Sequence, residues 1–117
     1  MAPDPKAPAT RLTRRAEFLR VAGSGRKAPA PGLVLQALNR DDDAPARLGF
    51  TVTKKVGNAV VRNRTRRRLR EAARAVLAEG GVRGVDLVLI GRESTRTRLF
   101  ESLKEDLRRA LDKVGAR

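Results

Sequence analysis

Residues 54–74 constrain the fold more than any other part of the sequence. They hold nine lysines and arginines and one acidic residue, Glu71, a net charge of +8 out of +14 for the 117-residue chain. Apolar or small residues also recur every three or four positions, which predicts one long helix from an N-cap at Asn58 to about Leu77. The buried face of this helix would consist of Val61, Thr65, Leu69, Ala72, Ala73 and Val76.

Three strands are predicted around this helix. Residues 33–39 and 47–53 alternate between two faces, and we expect them to pair as an antiparallel hairpin. Residues 85–91 are almost continuously apolar, as in a strand buried on both faces. With the strand at 47–53 and the long helix, they predict a parallel β-α-β crossover. Residues 27–32, which include two prolines, predict a loop.

Two further helices and an N-terminal arm complete the predicted organisation. Helices are predicted over residues 14–22, with Thr13 as the N-cap, and over residues 98–114. Residues 1–10 contain three prolines and no apolar period, which predicts a disordered arm before a single domain at residues 11–117. The order is α-β-β-α-β-α, and the predicted class is α+β, a two-layer α/β sandwich with a small mixed sheet.

The residue types that most protein nucleases and hydrolases use are missing. The chain has no histidine and no cysteine, which excludes Ser-His-Asp triads, histidine-pair ribonuclease sites, thiolate nucleophiles and His- or Cys-ligated zinc. The acidic run Asp41–Asp43 cannot direct three consecutive carboxylates at one magnesium ion, so we interpret it as a solvated turn. We therefore expect no catalytic site and no cofactor bound by the protein's own ligands.

The charge distribution predicts a polyanionic partner. Arginines four positions apart on the long helix repel one another, and Glu71 alone cannot pair with all of them, which argues against a merely solvated face. Lys54-Lys55 and the helix N-terminus after Gly57-Asn58 would add a phosphate site. Nucleic acid is the favoured partner, with an anionic membrane surface as the rival. No apolar run is long enough to span a membrane and no secretory signal is evident, so we expect a cytoplasmic protein.

Residues 47–71, Arg-Leu-Gly-Phe-Thr-Val-Thr-Lys-Lys-Val-Gly-Asn-Ala-Val-Val-Arg-Asn-Arg-Thr-Arg-Arg-Arg-Leu-Arg-Glu, closely resemble the signature of the bacterial ribonuclease P protein subunit. The resemblance extends to residues 11–21, 25–26 and 86–92. It implies an α/β sandwich with a left-handed crossover, although β-α-β units are generally right-handed. It also implies a partner protein for a catalytic RNA that removes the 5′ leader of precursor tRNA. The chemistry and its Mg²⁺ ions would belong to the RNA.

The resemblance also assigns residues to two RNA surfaces. The cleft for the single-stranded leader, between the first helix and the sheet, would contain Phe18, Lys55, Arg62, Asn63 and Arg70. Contacts to the catalytic RNA would come from Lys54, Asn58, Arg64, Arg66, Arg67 and Arg68. Many family members carry two further aromatic residues where this chain has Ala22 and Gln36, so leader binding should depend more on charge here. Phe18 also has an alternative interpretation as a core residue.

Three functions remain open from the sequence. The first is the ribonuclease P protein subunit, a tRNA-processing endonuclease only as part of a ribonucleoprotein, with no membrane or DNA partner. The second is a structural ribosomal or general RNA-binding protein, which the composition fits equally well. The third, a protein-only nuclease, is disfavoured by the missing catalytic groups. For comparison with Arg62, we expect Lys104 to lie on the exposed face of the last helix.

Overall fold

A five-stranded mixed sheet forms the centre of the fold. The computed structural model describes residues 9–117, so residues 1–8 of the predicted arm lie outside the described residues. The strands are β1 Thr10–Arg11, β2 Arg26–Pro29, β3 Leu33–Asn39, β4 Arg47–Thr51 and β5 Val85–Gly91. Their spatial order is β1-β4-β5-β3-β2. The helices are α1 Arg15–Ser24, α2 Ala59–Leu77 and α3 Phe100–Lys113, with 3₁₀ turns at Lys54–Val56 and Glu93–Thr95.

Strand β5 occupies the middle of the sheet because its side chains are apolar on both faces. All of its residues are buried except Ile90, which is half-buried. It pairs in parallel with β4 and antiparallel with β3. The predicted bounds of β3 and β5 and the parallel β4–α2–β5 crossover are therefore confirmed, while the left-handed crossover stays a prediction.

The predicted antiparallel hairpin between β3 and β4 is wrong. Strand β5 lies between them, so the two strands never pair with each other. Alternation along a strand shows which residues face the core, but it does not identify the neighbouring strand. Only a strand that tolerates burial on both faces can occupy the central position, and β5 is that strand.

Two short edge strands were not predicted. Strand β2 pairs antiparallel with β3 in part of the segment predicted as a loop, and β1 pairs in parallel with β4 at Arg47 and Leu48. Pro29 ends β2 at the edge of the sheet, where a missing backbone donor costs little. Thr10, predicted as the end of the arm, belongs to β1. Edge strands this short carry no alternating pattern that the sequence could reveal.

The long helix begins and ends where the sequence predicts. The Asn58 side chain accepts a hydrogen bond from the backbone N of Val61 (3.0 Å), which confirms Asn58 as the N-cap of α2. Helix α1 instead has Arg14 at its N-cap position and continues through Ser24, and α3 is shorter at both ends than predicted. Across residues 9–117, no helix combines the length and the hydropathy that a membrane crossing requires.

The helices pack on opposite faces of the sheet. Helices α2 and α3 bury leucines such as Leu69 and Leu107 against Leu35 and Leu89 in the larger core. Helix α1 covers part of the other face, where Val21 packs in a smaller cluster with Leu12 and Val88. Burial of these leucine side chains, at roughly 1.5–3 kcal/mol each, supplies the main stabilisation in a chain with three aromatic residues.

A buried carboxylate ties the central strands to α1. Asp86 on β5 is 1% exposed; it accepts hydrogen bonds from Arg40 (Nη1, 2.7 Å) and from Arg47 (Nε, 2.8 Å; Nη2, 2.6 Å). Arg47 also donates to Glu17 of α1 (2.8 Å). Burial opposes ionisation of Asp86, but the hydrogen bonds from Arg47 and Arg40 outweigh it and lower the Asp86 pKa. The aspartates at 41–43 are exposed, as predicted for a solvated turn.

Candidate nucleic-acid interface

The buried face of α2 fixes the orientation of its arginines. The buried residues are Thr65, Leu69, Ala72, Ala73 and Val76, and the remaining member of the predicted face, Val61, is half-buried. The Thr65 hydroxyl donates to the Val61 carbonyl (2.8 Å), so this one polar side chain in the buried face is satisfied. The apolar face rests on the sheet and α3, and Arg64, Arg67 and Arg74 lie outside it and are exposed.

None of the α2 arginines forms an ion pair within residues 9–117. Ion pairs in this part of the chain involve cations outside α2, among them Arg40, Arg47, Arg98, Lys104, Arg108, Arg109 and Arg117. Glu71, the acidic residue on α2, is exposed and is not among their partners. The alternative of a solvated face stabilised by intrahelical pairs therefore fails, and the excess positive potential of α2 is available to an anion.

The arginines at the start of α2 differ in their exposure and in their hydrogen bonds. Arg64 and Arg67 are exposed. Arg66 donates to the Asn63 side chain (3.0 Å), and Arg62 is half-buried and donates from Nη1 to the Gly57 carbonyl (3.1 Å). The Arg62 guanidinium thus lies against the turn before the helix.

The lead-in to α2 is a compact turn with exposed cations. Lys54 and Lys55 are exposed in the 3₁₀ turn. Gly57 has φ 157°, and a Cβ there would lie 2.7 Å from Cγ1 of Val61, so only glycine fits. This geometry brings two lysines next to the N-terminus of α2, where the helix dipole also favours an anion.

Arg68 has a role that its charge alone does not reveal. Its Nη1 donates to the carbonyls of Thr95 and Arg96 (2.8 Å each), and its guanidinium carbon lies 6.0 Å from the centre of the Phe100 ring. Sequence reasoning assigned Arg68 only to RNA contact, and nothing in its spacing indicates a bond to a loop 27 residues away.

The two aromatic contacts of the predicted leader cleft lie on opposite faces of β4. Phe18 of α1 packs against Gly49, whereas the Arg70 guanidinium carbon lies 5.9 Å from the centre of the Phe50 ring. Gly49 and Phe50 are consecutive strand residues, so they face opposite ways. Strand β1 pairs with β4 only at residues 47 and 48. Residues 49–51 therefore have no partner strand in β1 along this edge of β4.

Replacing Gly49 by alanine should separate the two interpretations of Phe18. The new Cβ would lie 2.6 Å from Phe18 Cζ, so the ring must move away from the sheet, and we expect a loss of about 1 kcal/mol in the free energy of unfolding. If Phe18 also contacts the leader, affinity for a leader-bearing precursor tRNA falls as well. Denaturant unfolding and filter binding measure the two effects.

Gly23→Ala is the matched control, because a Cβ at that helical position meets nothing within 4 Å. We expect it to stabilise the protein by roughly 0.5–1 kcal/mol, as alanine does in a helix interior. A Gly49→Ala variant with wild-type stability would contradict the tight contact with Phe18. Loss of stability without any loss of leader affinity would favour the core interpretation.

The described residues offer no ready metal site. Within residues 9–117, no group of three or more His, Cys, Asp or Glu side chains is arranged to hold a metal ion. The two buried carboxylates are already engaged by arginines, Asp86 as above and Asp106 by Arg98 (Nη2 to Oδ1, 3.0 Å). Within residues 9–117, these two carboxylates are therefore occupied by arginines.

Comparison with known proteins identifies the family. The family model for ribonuclease P matches residues 7–115, nearly the whole chain. The chain belongs to the ribonuclease P protein family. The role of this family is tRNA 5′ processing, so the alternative of a ribosomal or general RNA-binding protein is not favoured.

Relatives and solved structures of this family agree with the assignment. The ribonuclease P protein component of Gluconacetobacter diazotrophicus is 71% identical over 93% of this chain and 94% of its own length. That of Paramagnetospirillum magneticum is 53% identical over 91% and 83%. The Staphylococcus aureus RNase P protein structure superposes with a TM-score of 0.75 at 26% identity, covering 93% of this chain and 98% of that chain. The Thermotoga maritima protein gives 0.74 at 29%, covering 89% and 96%.

Proposed function

We propose that this chain is the protein component of a ribonuclease P whose catalytic site is in the RNA subunit. The protein binds the catalytic RNA and the 5′ leader of precursor tRNA, and it promotes endonucleolytic removal of the leader in the cytoplasm. The observation that carries the proposal is the arginine face of α2, which has no ion pair within residues 9–117 in a chain of this family. A polyanion would neutralise this face and release its own condensed counterions, which favours binding.

The chain's own chemistry supports a binding role. It has no histidine or cysteine to act as base or nucleophile, and its buried carboxylates are held by arginines. A nuclease without these groups needs chemistry from its partner. Mg²⁺ ions bound by RNA phosphates would supply it.

The RNA contacts fall on two surfaces of the protein, one for the catalytic RNA and one for the leader. The exposed residues Arg64, Arg67 and Lys54 neutralise phosphates of the catalytic RNA, together with Arg66, Arg68 and the N-terminal end of α2 at Asn58. Phe18, Lys55, Arg62, Asn63 and Arg70 contact the single-stranded leader near the unpaired part of β4. Neutralising phosphates where two RNAs meet removes repulsion that Mg²⁺ would otherwise have to screen.

Reconstitution tests this proposal. Catalytic RNA acting on precursor tRNA at low Mg²⁺ should cleave faster, and bind the substrate more tightly, when the protein is present. The advantage should shrink at high Mg²⁺, because the added cation screens the same phosphates. No gain at any Mg²⁺ concentration would overturn the proposal. Cleavage by the protein without RNA would revive the protein-only nuclease.

Arg62→Ala should weaken leader binding selectively. We expect about a fivefold loss of affinity for precursor tRNA with a long leader and little change for a leader of one nucleotide, because one charge-assisted contact is worth about 1 kcal/mol. Affinities of the reconstituted holoenzyme for both substrates provide the measurement. Equal losses for the two leader lengths would contradict a leader contact.

The control for this variant is Arg109→Ala. The Arg109 side chain is 79% exposed on α3, and its replacement removes the same charge. Lys104, chosen from the sequence, is unsuitable: its side chain is 16% exposed, pairs with Glu101 (2.8 Å) and lies 5.2 Å from the centre of the Phe100 ring. An Arg109→Ala variant as weak as Arg62→Ala would mean that only the net charge matters.

A further inference from the structure

The loop between β5 and α3, residues 92–99, presents cations beside the arginine face of α2. Arg92 and Arg96 are both exposed. Arg92 donates to the Ala30 carbonyl (2.6 Å). The Arg96 side chain has no hydrogen bond or ion pair to any of the residues that the structure describes. Neither the charge pattern nor the family resemblance assigned Arg96 a role.

Arg68 forms hydrogen bonds to the backbone at Arg96. Thr95 is the last residue of the 3₁₀ turn Glu93–Thr95, and its carbonyl and that of Arg96 lack the donors that a continuing helix would provide. Nη1 of Arg68 donates to both carbonyls at 2.8 Å. The backbone carbonyl of Arg96 is therefore bonded directly to an arginine of α2.

The loop is also held from its other side. The Thr95 hydroxyl donates to the Gly32 carbonyl (2.6 Å) and accepts from the backbone N of Arg92 (2.8 Å). The Ser94 hydroxyl donates to the Pro31 carbonyl (2.6 Å). These bonds already order the loop backbone. Binding of an anion by Arg96 would therefore cost less conformational entropy than binding by a disordered loop.

We propose that Arg96 binds a phosphate of the catalytic RNA and that Arg68 positions it for this contact. This inference rests on the proposed function, in which the exposed arginines of α2 face the catalytic RNA. Arg96 adds one cation to that basic face, on the side where α3 lies. The loop is bonded to Arg68, which is assigned to the catalytic RNA, and it lies on the opposite face of the sheet from Phe18 of the leader surface; the bond to Arg68 argues for the catalytic RNA.

Binding of the full-length protein to the cognate catalytic RNA across a salt series tests the contact. Arg96→Ala should weaken binding about fourfold and lower the slope of log K against log salt by about one, as expected for one lost phosphate contact. Arg109→Ala should leave affinity and slope near those of the wild type. Precursor tRNA with long and short leaders, bound to the holoenzyme, should show the same leader dependence for Arg96→Ala as for the wild type.

Arg68→Lys tests the positioning role, because it keeps the charge but removes the planar guanidinium that reaches two carbonyls. We expect it to lower affinity and salt slope about as much as Arg96→Ala, and the double variant to be no weaker than either single one. Ser94→Ala, which loosens the loop without changing charge, should weaken binding in the same direction. Thermal melts establish that each variant is folded.

The outcomes separate the inference from the function on which it rests. A wild-type protein that fails to bind the catalytic RNA would overturn the proposed function. Normal wild-type binding with no change in Arg96→Ala would overturn only the phosphate contact. Losses that multiply in the double variant would show that Arg68 and Arg96 act independently. A loss confined to long-leader substrates would move Arg96 to the leader surface.

Discussion

Replacing Arg64 and Arg67 together by alanine should weaken binding to the catalytic RNA by about 30-fold. Both side chains are exposed on the arginine face of α2, and neither has an ion-pair partner within residues 9–117. Each phosphate contact is worth about 1 kcal/mol, and neutralising two phosphates fewer should lower the salt slope by about two. Filter binding from low to moderate salt measures both quantities.

The matched control is the double variant Arg109→Ala and Lys113→Ala. It removes the same two charges from exposed positions on α3, away from the α2 face. We expect less than a threefold loss, because long-range attraction to RNA is screened within about 10 Å at ordinary ionic strength. Equal losses in the two double variants would mean that the net charge of +14, and not the α2 face, determines affinity.

Asp86→Asn should produce the largest loss of stability, about 3 kcal/mol in the free energy of unfolding. The substitution keeps the size of the side chain but leaves Arg40 and Arg47 beside a buried neutral group, and breaking a buried pair in this way is strongly destabilising. Glu17 and Asp42 still pair with these arginines, which places the loss near the lower end of the usual range. Denaturant unfolding measures it, and the Tm should fall by about 10 °C.

Asp42→Asn is the control for this variant. It removes an exposed carboxylate from the same Arg40, and we expect a much smaller loss because solvent screens that pair. A variant at Asp86 with nearly wild-type stability would contradict the view that this carboxylate holds β4 and β5 to the loop between β3 and β4.

The pH dependence of stability gives a second measurement on Asp86. Its pKa is lowered in the folded state, because the hydrogen bonds from Arg47 and Arg40 outweigh the effect of burial. The carboxylate therefore stabilises the fold above the unfolded-state pKa of about 4, and this contribution is lost as pH falls through the lower folded-state pKa. As the pH falls below about 4, the wild type should lose stability more steeply than Asp86→Asn.

Sequence periodicity predicted α2 and β5 well because both elements satisfy strong local requirements. Asn58 caps the helix, Leu69 and its neighbours recur at helical spacing, and residues 85–91 are apolar at every position except Asp86 and Gly91. The order of the strands could not be predicted in this way. Since β3 and β4 have similar alternating patterns, only the packed sheet shows that β5 separates them.

Some features of the candidate site could likewise be predicted from the sequence, and others could not. Its location on α2 and the shortage of acids around its arginines are properties of composition and spacing, so the sequence determined that this chain attracts a polyanion and lacks the usual catalytic groups. Its family signature could also be read directly from residues 47–71.

Only the tertiary structure decided what each arginine is free to do. Arg64 and Arg67 are exposed, Arg62 bonds to the turn at Gly57, and Arg68 holds the loop that carries Arg96. Asp86, which the sequence presents as an isolated acid in an apolar strand, is the buried partner of two arginines from other segments. Charge and periodicity are local properties of the chain, whereas hydrogen-bond partners depend on which distant segments packing brings together.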